Sequence, residues 1–362
     1  MEPEKKTSAL QEIKGVESPD SINPKATSFV GKNKFPSANE FTEGIFSGNI
    51  TYLSRAITVI ESTNPAHSDL ASQIITACLP KSGNSIRIGI TGVPGVGKST
   101  FIEAFGKHLT ALGKKVAVLA VDPSSSISHG SILGDKTRME ELVKDENAYI
   151  RPSASGKTLG GVARSTRETI TLCEAFGFDV IIIETVGVGQ SETAVHAMTD
   201  FFLLLKISGA GDELQGIKRG IMEMADLVVI NKADGDNIKK AKLARTEFER
   251  ALHFFPPQSS GWTPKALTAS AVTHDGIPEV WETISDYVSL TESNGYFLER
   301  RNLQDLEWLS QSLKDRLLQQ FELDANLNES LEQMKKKVLE KKISPFIAAS
   351  RLLEDFLKGR KP

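Results

Sequence analysis

The chain has 362 residues, 40% hydrophobic and 25% charged, with a formal net charge of −3. That length fits one large α/β domain with appendages or two modest domains, and the charge excludes a role resting on bulk attraction to nucleic acid. No apolar run approaches the roughly 20 residues of a membrane span, and the two cysteines, Cys78 and Cys173, come without a CxxC or His-rich tract, which excludes a disulfide or zinc scaffold.

Residues 1–42 are rich in Ser, Pro, Lys, Glu and Asn with little apolar periodicity, and they read as a flexible tail. The start, MEPEKKTSAL, has neither an apolar segment nor an arginine-rich amphipathic pattern, so a cytoplasmic location is expected. Over 43–85 a helical extension is predicted: Leu53, Ile57 and Ile60, then Leu70, Ile74 and Leu79, recur at helical spacing. Asn64-Pro65 interrupts this pattern and Pro80 ends it.

Over 86–290 apolar strands alternate with helices. Residues 86–91 read as a short strand, and 100–112 as a helix with Phe101, Phe105 and Leu109 on one face. Strands are expected at 116–121, ending in Asp122, and at 180–183, ending in Glu184. Further strands are expected at 201–207, 227–230 and 266–269, with helices at 159–176 and 237–252. Continuous apolar strands between helices predict an α/β fold of the P-loop NTPase type, a mainly parallel sheet covered by helices on both faces. Over 291–362 the pattern is helical only and reads as a C-terminal arm. Leu303, Leu306, Leu309, Leu313, Leu317 and Phe321 form one stripe that suits either the sheet domain or a second subunit. A lysine-rich segment at 327–342, read as a solvated helix face, and a helix starting at Ser344-Pro345 follow.

The run Gly92-Val93-Pro94-Gly95-Val96-Gly97-Lys98-Ser99 fits G-x-x-x-x-G-K-[ST] between a predicted strand and a predicted helix. Such a loop aims backbone N–H groups at phosphate oxygens, and the helix N-terminus adds positive potential. Lys98 is assigned to the β- and γ-phosphates and Ser99 to Mg²⁺, with Thr100 beside them in the nucleotide site. The motif implies a nucleoside triphosphate but leaves its base open.

Asn231-Lys232-Ala233-Asp234 fits N-K-x-D at the end of a later strand. The Asp234 carboxylate can accept from guanine N1–H and its exocyclic amine, groups adenine does not offer, while Lys232 lies along the base and Asn231 ties this loop to the phosphate loop. Ser270-Ala271-Val272, after the last strand, suits a backbone contact to guanine O6. The expected ligand is therefore GTP or GDP with Mg²⁺. Magnesium takes hard oxygen ligands and keeps waters, so Asp122, Asp135 and Glu184 are the candidate carboxylates beside Ser99. Glu184-Thr185-Val186-Gly187 resembles the D-x-x-G switch loop with Glu for Asp, its Gly187 N–H sensing the γ-phosphate. Val188 stands where Ras-type enzymes place a glutamine, and Gln190 lies two residues later, so no water-positioning residue follows by analogy.

In order, GITGVPGVGKST, VLAVDPSSS, GSILGDKTRM, ETVGVGQSE, GAGDELQGIKRGIMEMADLVVINKAD and TASAV make residues 45–320 resemble the MeaB-type GTPases, also called ArgK. The resemblance implies GTP hydrolysis coupled to the protection and cofactor loading of an adenosylcobalamin-dependent acyl-CoA mutase, methylmalonyl-CoA mutase above all. It also implies a homodimer joined by the C-terminal arm. By the same resemblance Lys98 and Ser99 bind phosphate and Mg²⁺, Asp122, Asp135 and Glu184 surround the metal, and 207–218 is an additional switch in which Asp212 and Lys218 act on catalysis. Ile127-Ser128-His129-Gly130 departs from the family's Gly-Gly pair. The alternatives are a nickel-delivery GTPase, a kinase or ATPase linked to amino-acid transport, and a signal-recognition-type GTPase. Six scattered histidines disfavour the first, N-K-A-D the second, and the few methionines, six in all, the third.

Overall fold

The structure, a computed structural model, describes residues 36–121, 139–152, 159–185, 191–209, 219–322 and 324–358. Met1–Ser37 and Ala38–Pro362 form separate units, and the architecture below is that of the second. Its centre is a sheet of seven strands: β1 Ile86–Gly92, β2 Val116–Val121, β3 Ala148–Arg151, β4 Val180–Thr185, β5 Phe201–Ile207, β6 Leu227–Asn231 and β7 Lys265–Thr268. They lie in the order β3-β2-β4-β1-β5-β6-β7, and every pairing is parallel.

The strands are apolar throughout because both faces are covered. Along β4, Val180 and Ile182 enter one core while Ile181 and Ile183 enter the other, the period-two alternation of a strand buried on both sides. The first core is closed by α4 Lys98–Ala111 and α9 Ile277–Ser293, through Phe101, Phe105, Ile284 and Tyr287. The second is closed by α1 Ala38–Phe46, α2 Ile50–Glu61, α3 Ser68–Cys78 and α5 Leu159–Phe176. Two short helices, α6 Ser191–His196 and α7 Arg219–Met224, precede β5 and β6, and α8 Ile238–Leu252 packs on β6 and β7.

The predicted parallel α/β sheet is therefore present, and local differences have clear causes. Helix begins at Ala38, inside the stretch expected to be tail, because Phe41 and Ile45 are fully buried against the sheet's helical cover, and Phe41 meets Tyr52 edge-on at 6.1 Å. One amphipathic turn in a polar context carries too few residues to show a period. The break at Asn64-Pro65 is a 3-10 turn whose Asn64 side chain accepts from Ala66 N at 3.0 Å. Strand β3 was not expected: four residues give no alternation, and its place at the sheet edge comes from pairing with β2. Both cysteines are buried free thiols, and among the described residues no helix is long and apolar enough to cross a membrane.

Three helices end the chain: α10 Tyr296–Glu322, α11 Ala325–Leu339 and α12 Pro345–Lys358. The leucine stripe of α10 turns away from the sheet domain, with Leu303, Leu306, Leu309, Leu313 and Leu317 between 50% and 67% exposed. Phe321, at its end, packs on Phe356 of α12 with ring centroids 5.2 Å apart. It is the polar face that docks. Arg301 Nε donates to Asp200 Oδ1 at 2.8 Å and Nη2 to Oδ2 at 2.6 Å, while Nη1 and Nη2 donate to the Gly83 and Ser85 carbonyls, each at 2.6 Å. Asp200 Oδ2 also accepts from Arg87 N at 2.8 Å, so every charge in this buried cluster is met.

Removing one partner of such a pair leaves a buried charge unmatched. Arg301→Ala is expected to cost about 3–5 kcal/mol of unfolding free energy, read from urea denaturation. A loss under about 1 kcal/mol would show that α10 docks by other means.

Candidate functional site

The phosphate loop hangs between the end of β1 and the start of α4, at the C-terminal edge of the central strand. Gly92 passes close to β5: a Cβ there would stand 2.7 Å from the Leu205 carbonyl oxygen. Gly97 holds φ at +91°, and a Cβ on it would stand 2.9 Å from Asn231 Nδ2. Glycine is required at both points, by approach at the first and by backbone conformation as well at the second. Phe101 N donates to the Gly97 carbonyl at 2.9 Å, opening α4, so the first turn of the helix, from Lys98 through Ser99 and Thr100, faces the loop. Val93, Pro94 and Gly95 form the exposed crest, and Val96 is buried beneath it.

Lys98 is buried, and its Nζ donates to the Gly92 and Val93 carbonyls at 2.8 and 3.4 Å, which places the charge inside the curl of the loop. Burial lowers its pKa, while the carboxylates of Glu184 and Glu192 pull it back up. Glu184 lies near the end of β4, in register with Ile90 of β1 and Ala120 of β2, and is buried. Next to it the Thr91 and Thr185 hydroxyls meet at 2.8 Å, joining the strands that lead into the two loops. Glu192, in the first turn of α6, is also buried. Sequence reasoning did not single it out, although it closes the ETVGVGQSE run.

Asp122 comes directly after Val121, the last residue of β2, which stands in register with Thr185. Asp122 itself, Asp135, Gly187, Asp212 and Lys218 lie outside the described residues, as do His129, Val188 and Gln190. Among the described residues no three His, Cys, Asp or Glu side chains gather as a metal site. The Ser99 hydroxyl and the Glu184 carboxylate are hard oxygen donors at the phosphate loop, a set that suits Mg²⁺ with water completing the shell.

The second loop, after β6, is bolted to the first. Asn231 Nδ2 donates to the Val96 carbonyl and Lys232 Nζ to the Gly95 carbonyl, each at 2.9 Å. Lys232 adopts φ +58°, a left-handed turn at the strand end. Asn231 Oδ1 is buried with no partner among the described residues. The third loop, after β7, joins the second: Ala233 N donates to the Ala269 carbonyl at 3.0 Å, and the buried Ser270 hydroxyl donates to Asp234 Oδ2 at 2.5 Å. Ser270 Oγ in turn accepts from Val272 N at 3.3 Å and Thr273 N at 3.1 Å, closing a turn over Ala271. Asn237, also missed in the sequence, braces the loop by donating to the Lys232 carbonyl and accepting from Ser208 Oγ, both at 2.7 Å. The structure thus brings together 92–100, Glu184, 231–234 and 270–272 at one edge of the sheet.

The profile of a family described as Methylmalonyl Co-A mutase-associated GTPase MeaB matches residues 53–326. The chain is 49% identical over 271 residues to the GTPase ArgK of Escherichia coli, covering 75% of this chain and 82% of that one. It is 46% identical over 323 residues to the mitochondrial methylmalonic aciduria type A homolog of Mus musculus, covering 86% of this chain and 78% of that one. A solved structure described as an LAO/AO transport system kinase superposes with a TM-score of 0.71 at 39% identity, covering 88% of this chain and 97% of that chain.

Gly97→Ala tests the crowding between the first two loops. Strain at a left-handed position costs on the order of 1–3 kcal/mol, so a matching fall in unfolding free energy is expected together with loss of GTP turnover. A variant with wild-type stability and turnover would show that the loops have room to part.

Proposed function

The chain belongs to the MeaB family of methylmalonyl-CoA mutase-associated GTPases, and from that membership we propose that it uses GTP with Mg²⁺ to gate cofactor loading and protection of an adenosylcobalamin-dependent acyl-CoA mutase. The observation that carries the nucleotide part is the bolting of 231–232 onto the phosphate loop by Asn231 and Lys232. It holds a base-reading carboxylate at a constant offset from a phosphate-binding lysine. Lys98 neutralises the β- and γ-phosphates, the Gly92–Ser99 backbone cradles them, and Thr100 lines the same turn. Ser99 and Glu184, with Asp122 and Asp135, hold the metal, whose charge would offset that of the triphosphate. Asp234 reads guanine N1–H and N2, with its other demands met by Ser270, and the 270–272 backbone faces O6.

Gly187 senses the γ-phosphate, and Asp212 with Lys218 belongs to the segment that answers to the mutase. The mutase reading draws on the family's description and on the disease-linked name of the mouse relative. A homodimer is part of the same proposal, since the exposed α10 leucines offer a continuous apolar seam. A cytoplasmic place of action completes the reading. The kinase reading attached to the structural relative finds less support, because an adenine ring offers the Asp234 carboxylate neither of the two donors that guanine does.

Three measurements test the reading. Thermal-shift assays should show GDP and GTP with Mg²⁺ raising Tm well above any effect of ATP; the reverse order would remove the guanine assignment. Lys98→Ala should lower GTP affinity on the order of 100-fold with Tm retained, and Asp234→Asn should lower it about 10- to 100-fold. Unchanged affinity in both variants would dissolve the site. Pull-down with a purified methylmalonyl-CoA mutase should depend on a non-hydrolysable GTP analogue, and an interaction indifferent to nucleotide would sink the chaperone role.

A further inference from the structure

Residues 191–200 form a short span with one end at the phosphate site and the other against the C-terminal helix. At the near end, Glu192 is 6% exposed and acts on the Lys98 charge. In the middle the span lies on β1, the strand that feeds the phosphate loop. A Cβ at Gly89 would stand 3.0 Å from Val195 Cγ1 and 3.1 Å from Thr199 Oγ1, so the absence of a side chain there lets α6 seat directly on the strand. A helix seated this closely cannot slide without moving β1 or leaving a void.

The far end is bonded to α10, to α5 and to the start of β1. Arg300 Nη2 donates to His196 Nε2 at 3.2 Å, and the His196 ring stands edge-on to Phe202 at 5.4 Å. Because a guanidinium only donates, His196 Nε2 must accept, which makes the imidazole neutral, in line with a pKa that burial and Arg300 push down to about 4. Arg167 of α5 donates Nη2 to the Ala197 carbonyl at 2.9 Å and Nη1 to the Gln304 carbonyl at 3.2 Å. Gln304 Nε2 donates to the Thr199 carbonyl at 2.9 Å. Two of these bonds meet the Ala197 and Thr199 carbonyls just past the end of a six-residue helix, which is too short to hold its own position.

We propose that α10 serves catalysis at a distance: by fixing 196–199 it holds α6 on β1, the strand that feeds the phosphate loop, so that Arg167, Arg300 and Gln304 are positioning residues for GTP hydrolysis. The inference rests on the reading of Lys98 as the phosphate-binding lysine. Its consequence is that whatever shifts α10, a partner on its leucine stripe included, reaches the reacting phosphates through α6. Coupling of this kind is reciprocal, so nucleotide occupancy would also be felt at α10.

The test uses the full chain, with single-turnover GTP hydrolysis and equilibrium binding of GDP measured side by side. Gln304→Ala and Arg300→Ala are each expected to lower the hydrolysis rate about tenfold, as a small misplacement of catalytic groups does, with GDP affinity held within about twofold. Arg300→Lys should restore part of the rate, and Asn302→Ala, exposed on the same helix, should leave it unchanged. Glu192→Gln combined with Gln304→Ala should be no slower than Glu192→Gln alone, because both act through α6. Rate losses that multiply in the double variant, or full rates in both α10 variants, would overturn the inference. If Arg300→Ala does not fold, Gln304→Ala, which removes a single side-chain bond, carries the test. Failure of the underlying reading looks different: Lys98→Ala would then bind and hydrolyse GTP normally.

Discussion

Everything at the site depends on parallel pairing at β1. Because β1 runs parallel to β4 and β5, and these to β2 and β6, the chain must return to the same end of the sheet after every strand. Each loop that leaves a C-terminal strand end therefore opens on one edge. The phosphate loop, Glu184 near the end of β4, the 231–234 loop and the 270–272 loop come from four separate stretches of sequence, yet they share this edge. Burial of the strands on both faces keeps the spacing constant, since a sheet packed between two cores has no soft direction in which to open.

Polar groups then do what apolar packing cannot, which is to set the loops against one another at hydrogen-bond precision. Asn231 and Lys232 reach the carbonyls of Val96 and Gly95, and Ser270 reaches Asp234, so that three loops form one bonded unit. A similar logic operates at the opposite edge of the sheet. There Arg301, Asp200, Arg87 and Glu174 form a buried lattice in which Arg87 donates to both Glu174 oxygens, at 2.9 and 3.0 Å, and Arg301 to both Asp200 oxygens. Such lattices are costly when incomplete, and this one ties the start of β1 to the C-terminal helix. The central strand is thus anchored at both ends by charge-assisted bonds.

The phosphate loop, the Asn231–Asp234 run and the apolar strands were legible because each is a local pattern with a local reason. Glycines are demanded by backbone approach, β-branched runs by burial on two faces, and Asp234 by the base edge that the proposed reading gives it. Glu192, Asn237 and the short strand β3 were not legible. Glu192 sits in a six-residue helix with no period of its own, and Asn237 looks like an ordinary loop residue until Lys232 and Ser208 fold against it. The leucine stripe of α10 was legible as a stripe but not in its direction, because hydrophobic spacing says that a face seeks cover and not where the cover lies.

From the sequence alone came the parallel α/β class, the phosphate and base loops, and the family resemblance; all three rest on residues close in the chain, where spacing alone carries the chemistry. The tertiary structure decided how the second loop is bolted to the first, and that α10 docks through Arg301 and Gln304 while its leucines point outward. Those outcomes join residues more than a hundred positions apart, and long-range pairs of single side chains leave no periodic trace. They are settled only when packing brings the partners within bonding distance and burial removes the water that would otherwise satisfy them.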